Sequence, residues 1–269
     1  VFIFGKDSDI KLDTAFTLTS TKDKVVAAYL KNSGTLTNEG SIDLSGDKAV
    51  ALYGEAGGAL VNNNIIKVGT NGVGIYNKGA TTGENGANGV ITLNGDYGIG
   101  MRSENATGNI ENKGKIESSK LRAVGMSASD GSNAVTNSRI IELSGQESIG
   151  LHTDNKGTAG HAVTNTGTIT LVDANDEDKP NIGIYSEHSS DVIVNNGKIE
   201  AGKNTLGIYG KAGGNITLGA SSETKVGDNG VAVFSTGGNI NIANGAKLET
   251  GANNGVGVYY SGSNGTITN

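Results

Sequence analysis

Cysteine and tryptophan are absent from this chain of 269 residues, and proline occurs once, at Pro180. Without cysteine no disulfide can hold the fold, so stacking of the chain on itself must do so. The same absence suits a chain that crosses a membrane unfolded. No stretch approaches the roughly 18 apolar residues of a membrane-spanning helix, and no signal-peptide pattern is visible. No basic run occurs, and the formal charge of −6 with a pI near 5.1 excludes a nucleic-acid partner, which needs clustered Lys and Arg. Aromatic residues are scarce at 4%. Glycine is the opposite case: 44 of 269 residues is about twice its usual share of roughly 7%, and the excess is periodic rather than random.

The period comes from a four-residue theme, apolar–small–apolar–aromatic. Its clearest copies are Val73-Gly74-Ile75-Tyr76, Ile182-Gly183-Ile184-Tyr185, Leu206-Gly207-Ile208-Tyr209 and Val256-Gly257-Val258-Tyr259. Weaker copies begin at Val26, Val50, Ile99, Val124, Ile149 and Val231, and successive small residues are 24, 23, 26, 25, 25, 33, 24, 25 and 25 apart. A fixed period in this range means stacked structural repeats rather than separate domains. A second theme follows in each coil, as in Leu36–Leu44, Val135–Leu143 and Val163–Leu171, with further copies centred on Ile66, Ile91, Ile116, Ile199, Val226 and Leu248. Strands are expected at Val73–Tyr76, Ile110–Asn112 and Lys115–Glu117 in their coils, since runs this short alternate with period two. Three strands in about 25 residues describe an all-β fold, a right-handed parallel β-helix of about ten coils. Residues 1–269 then form one body, with residues 172–180 as an inserted loop. Unpaired coil ends lead us to expect a segment of a longer chain.

Alternation assigns faces. The apolar residues flanking the small position are expected to point inward, and Asn38, Asn62, Asn112, Asn137, Asn165, Asn195 and Asn244 to form a hydrogen-bonded column broken at Ala87 and Ser222. Gly40, Gly89, Gly114, Gly167 and Gly197 follow two residues later, where a turn with positive φ is expected; Arg139 in that column is then hard to explain. The last residue of each theme forms an outward column: Tyr29, Tyr53, Tyr76, Arg102, Ser127, His152, Tyr185, Tyr209, Phe234, Tyr259. Parity places it beside a groove of glycines. Either the rings merely cover that groove, or Tyr76, Arg102, His152, Tyr185 and Tyr209 line a binding surface, with large contact area and polar tips.

Departures from the period mark loops, where repeat proteins carry function. The insertion holds Asp173, Asp176 and Asp178, candidate contact residues in a loop that lacks calcium-binding spacing. Corner loops are expected at residues 77–89 and 152–160. His152, Asp154, His161 and His188 lie near the second without ligand spacing, so no metal and no cofactor is expected. Parallel β-helices also host polysaccharide-cleaving enzymes, but the acids look dispersed, with no adjacent outward pair beside Lys or Arg. No nucleophile elbow or zinc-protease motif occurs either. No enzymatic activity is expected.

The phrases Asn-x-Gly-x-Ile-x-Leu and Gly-Ile-Tyr, repeated through a cysteine-free Asn/Gly-rich chain, resemble the passenger domains of type V (monomeric) autotransporters. The large fusobacterial adhesins of that kind are the nearest likeness. The resemblance covers essentially the whole chain and speaks to architecture more than to ligand. It implies a monomeric cell-surface passenger, exported through a C-terminal outer-membrane barrel that this sequence does not contain. It also implies attachment to other bacteria or host cells through protein or glycan ligands; no catalytic residue of the family carries over. A passive stalk holding a distal binding tip is the alternative.

If the residue after the small position is a core position, Ile184→Asp buries an unpaired carboxylate. A loss of roughly 4 kcal/mol or more is expected, read as a lowered urea midpoint.

Overall fold

The computed structural model describes residues 2–154 and 160–269. Three sheets run its length: eleven strands from Ile3–Lys6 to Val256–Tyr260, eleven from Ile10–Leu12 to Ile267–Thr268, and ten from Thr17–Ser20 to Lys247–Glu249. Every strand pairs in parallel with the equivalent strand one coil on, as Val73 with Ile99 and Ile91 with Ile116. No helix occurs among the described residues. This is a parallel β-helix, and the expected strands are present at Val73–Lys78, Ile110–Asn112 and Lys115–Ser118. One rung was hidden in the sequence: Phe4 sits in register with Tyr29, with Phe2 preceding it where later coils have a small residue. Ten strand spacings give a rod about 48 Å long.

The core is a set of parallel apolar columns. Ala28, Leu52, Ile75, Met101, Met126, Leu151, Ile184, Ile208 and Val233 form one, all at zero exposure, and Ile42, Ile66, Ile91, Ile116, Ile141, Ile169 and Ile199 another. Each such side chain contributes roughly 1.5–3 kcal/mol by burial.

Two face assignments need correction. The apolar residue before the small position is not a core residue in most coils: Val26, Val50, Ile99 and Val124 are half-exposed. The small residue itself is inside. Alternation slips there, so two consecutive residues face the core. A Cβ on Gly125 would stand 2.5 Å from the Gly150 carbonyl and 2.8 Å from Ile141 Cγ2, where real Cβ atoms are not found. No exposed glycine groove exists beside the aromatic column.

The asparagine column is real but differs in membership. Asn38, Asn62, Asn85, Asn112, Asn137, Asn165 and Asn195 each donate an amide hydrogen bond to the next at 2.8–2.9 Å, and Asn195 ends the run on Thr224 Oγ1 at 3.1 Å. Asn85, not Ala87, fills the fourth coil's place because that coil carries two extra residues before Ile91. Thr224, not Val226, pairs with Ile199, and Asn244 is exposed outside the column. Gly114, Gly167 and Gly197 do not have positive φ; their Cβ atoms would meet a carbonyl of the preceding coil at 2.1–2.2 Å. Arg139 therefore carries no backbone strain, and its guanidinium donates to the Ala87 carbonyl.

Left-handed residues occupy a different corner, two positions before the first-sheet strands: Lys24, Lys48, Asn71, Tyr97, Arg122, Glu147, Asn204, Asn229 and Asn254. Pro180 falls at that position in the inserted coil, and its ring forbids positive φ. That coil still follows the regular path as far as Ala174, which is fully buried and donates to the Lys203 carbonyl at 2.9 Å. Residues 175–179 then project outward, and the chain rejoins at buried Asn181, whose Oδ1 accepts from Ser148 N at 2.8 Å.

Asn137→Ala strips Asn165 Oδ1 of its ladder donor and Asn112 Nδ2 of its ladder acceptor, both at zero exposure. A destabilisation of about 2–5 kcal/mol is expected in denaturant titrations, larger than for Asn244→Ala.

Candidate binding ridge on the first sheet

The outward column is one continuous row. Register pairs Tyr76 with Arg102, Arg102 with Ser127, Ser127 with His152, His152 with Tyr185 and Tyr185 with Tyr209. All five predicted ridge residues, Tyr76, Arg102, His152, Tyr185 and Tyr209, thus stand one strand spacing from a neighbour in the row. Rings meet along it: Phe4–Tyr29–Tyr53–Tyr76 at centroid distances of 5.2, 4.9 and 5.2 Å, and His152–Tyr185–Tyr209–Phe234 at 5.4, 5.1 and 4.7 Å. In the second run the planes lie within 13–23° of parallel, so each ring covers its neighbour's face. Edges and polar tips, rather than ring faces, are what this second run offers, and sugar stacking on its flat rings is blocked there.

The row breaks where no ring is present. The Arg102 guanidinium lies 5.5 Å above the Tyr76 ring and bonds Glu104 at 3.2 Å. Ser127 follows, and only its hydroxyl, 3.5 Å from His152 Nδ1, bridges toward the second run.

A charged column two residues further on accompanies the rings: Lys31, Glu55, Lys78, Glu104, Ser129 and Asp154 in register, then Glu187 and Lys211. Tyr29 donates its hydroxyl to Glu55 at 2.5 Å and Tyr76 does the same to Glu104. Burial and that bond push the Tyr29 phenol up to about 12 and raise Tyr76 likewise. Glu187 accepts from His152 at 3.1 Å and from Lys211 at 3.0 Å, and these bonds hold its carboxyl down at about 2. The Lys211 ammonium is raised by the same partner and lies 6.0 Å from the Tyr185 ring. Sequence reading missed this column, although its signal was present as a charge two residues after most of the aromatics.

The other predicted residues lie elsewhere. Asp173 lies in the irregular chain after strand Thr168–Leu171: its Oδ1 accepts from Lys203 N at 2.9 Å and its carbonyl from Gln146 Nε2 at 3.0 Å. Asp176 Oδ1 accepts from Asp178 N at 3.0 Å, and both residues are exposed on the insertion, before the first-sheet strand rather than beside its aromatic row. Residues 77–89 are not a loop; Thr82–Asn85 is a second-sheet strand within them. The corner expected at residues 152–160 begins in strand Ile149–Asp154, and its positions 155–159 lie outside the described residues. His161 is buried, and burial pushes its imidazole down, while His188 bonds Ser190 Oγ at 2.6 Å. Among the described residues no three His, Cys, Asp or Glu side chains are placed to share a metal ion.

The acids are less dispersed than the sequence suggested. Glu117 and Glu142 stack in adjacent coils, and Lys115 bonds both, at 2.6 and 2.9 Å. They border a depression of about 210 Å³ lined also by Thr92, Asn94, Ser118 and Ser144. Mutual pairing holds the Glu117 carboxyl low and the Lys115 ammonium high.

Residues 14–205, which include the row from Tyr29 to Tyr185 and the insertion, match the family model of the BigA third pectate lyase-like domain. The chain belongs to that family. Membership accounts for the β-helix and points to a passenger-like domain of a bacterial surface protein. No curated protein and no solved structure matches the chain. In this BigA-type domain the same columns continue past the matched range, through Leu206–Gly210, Val231–Ser235 and Val256–Tyr260.

Because Glu187 titrates near 2 instead of 4.5, its bonds stabilise the fold fully above about pH 4.5 and are lost as pH falls toward 2. Glu187→Gln is expected to flatten the acid side of the stability–pH curve over that window, measured by thermal melts from pH 2 to 7.

Proposed function

We propose that this domain is part of a cell-surface adhesin passenger, exported to the bacterial surface and attaching to other bacteria or to host cells through protein or glycan ligands. The observation that carries this reading is the ridge itself. A row of aromatic rings and paired charges runs along one sheet and is interrupted at a single place, where Ser127 stands between Arg102 and the His152 ring. A scaffold under no demand but stacking would favour an unbroken ladder, since each adjacent aromatic pair adds about 0.5–1.5 kcal/mol. An interruption that forgoes this stabilisation, flanked by Arg and His, has the composition of a contact surface. The likeness to type V autotransporter passengers and the family's surface-protein character support the same reading.

The proposal is of a binder and not an enzyme. The Lys115–Glu117–Glu142 cluster is where polysaccharide cleavage would be sought. There Lys115 pairs with both Glu117 and Glu142, an arrangement that favours a structural ion-pair cluster over a separated acid–base pair. Turnover of any member of a polysaccharide panel would overturn this part. A stalk is the second reading, favoured by the uniform columns on the remaining faces.

The test is competition. The purified chain is expected to reduce coaggregation or host-cell attachment by cells displaying the parent protein, and Arg102→Ala with His152→Ala to weaken that effect several-fold. Failure of the unaltered chain to compete identifies the segment as a stalk.

A further inference from the structure

The interruption has the dimensions of one missing ring. Ser127 pairs with Arg102 on one side and His152 on the other, so these two residues stand two strand spacings, about 9.6 Å, apart. A planar group resting over Ser127 would lie about 4.8 Å from each, within the range that stacked rings favour. The ladder elsewhere is built on centroid distances of 4.7–5.4 Å. His152 has one face against Tyr185, at 23° and 5.4 Å, which leaves its other face on the side of the short Ser127 side chain, whose hydroxyl comes within 3.5 Å of Nδ1. Arg102 likewise has one face over Tyr76. Its Nε is shielded from solvent and has no hydrogen-bond partner among the described residues. A cation over one face of an entering ring and an imidazole over the other make an aromatic slot.

The charged column specifies the ring's polar tip. In both places where a ladder tyrosine donates its hydroxyl, the acceptor is the carboxylate two residues on and one coil further: Tyr29 to Glu55, Tyr76 to Glu104. The same displacement from Ser127 leads past Ser129 to Asp154. Serine at 129 leaves that column as short as Ser127 leaves the ring column. We infer that the notch over Ser127 and Ser129 receives a tyrosine side chain from a partner protein, its ring between Arg102 and His152 and its hydroxyl directed to Asp154. This rests on the adhesin reading for its biological setting, and it narrows the ligand from protein or glycan to a protein bearing an exposed tyrosine.

The chain's three histidines give three imidazole proton signals that can be followed by NMR. N-acetyl-tyrosinamide, titrated to millimolar concentration, is expected to shift the His152 signal saturably by ring current and to leave His161 and His188 in place. N-acetyl-leucinamide and a methyl glycoside should not do so. Ser127→Tyr should supply the missing ring from within, raise the melting temperature and abolish the response. Arg102→Gln should weaken it several-fold and keeps the idea testable if Ser127→Tyr fails to fold. Absence of a His152 shift, an equal response in Ser127→Tyr, or a shift produced by the glycoside instead would overturn the slot. Tyrosinamide binding without competition in the cell assay would sink the adhesin reading alone; competition without tyrosinamide binding would sink only the slot.

Discussion

Parallel stacking at one strand spacing governs everything else in this molecule. Each residue has the equivalent residue of the next coil about 4.8 Å away, so a side chain must be compatible with copies of itself above and below. Leucine, isoleucine and valine satisfy this inside by interdigitating. Buried asparagine satisfies it because an amide carries both a donor and an acceptor, and the run from Asn38 to Asn195 passes hydrogen bonds along the axis without leaving a group unpaired within it. Its end on Thr224 is orderly for the same reason, since a hydroxyl accepts the last amide proton.

The same rule shapes the outer face. Like charges in register would repel, and the column beside the rings alternates Lys31, Glu55, Lys78 and Glu104 instead. Aromatic rings tolerate self-stacking and build two runs on the first sheet. Where the row is broken, at Ser127 between Arg102 and His152, no demand of the fold explains the choice. The insertion at 175–179 obeys the rule by stepping outside it: Ala174 and Asn181 keep their places in the stack, and only the residues between them leave it.

Much of the fold was legible in the sequence because a repeat reports each position about ten times. Period, strand number and the Ile169-type core column could be read directly. Errors clustered where one coil differed from the mean. Asn85 was displaced by two residues, Thr224 stood in for isoleucine, and Phe2 concealed the first copy of the theme. Strict alternation also misplaced the small residue, because the chain puts two successive residues inside at that corner. Gly125 is required by the nearness of the Gly150 carbonyl and Ile141, contacts that come from a neighbouring coil and from the opposite wall.

Sequence by itself determined the solenoid, its coil length and the membership of the aromatic row, since these follow from local pattern repeated at a fixed interval. Only the tertiary structure decided what the row presents. Whether a ring shows its face or its edge depends on the dihedral choices of its neighbours one coil away. Whether Glu187 is a free acid or the shared partner of His152 and Lys211 depends on positions 35 and 24 residues distant. Such relations between coils are set by stacking geometry, and no local pattern in the chain encodes them.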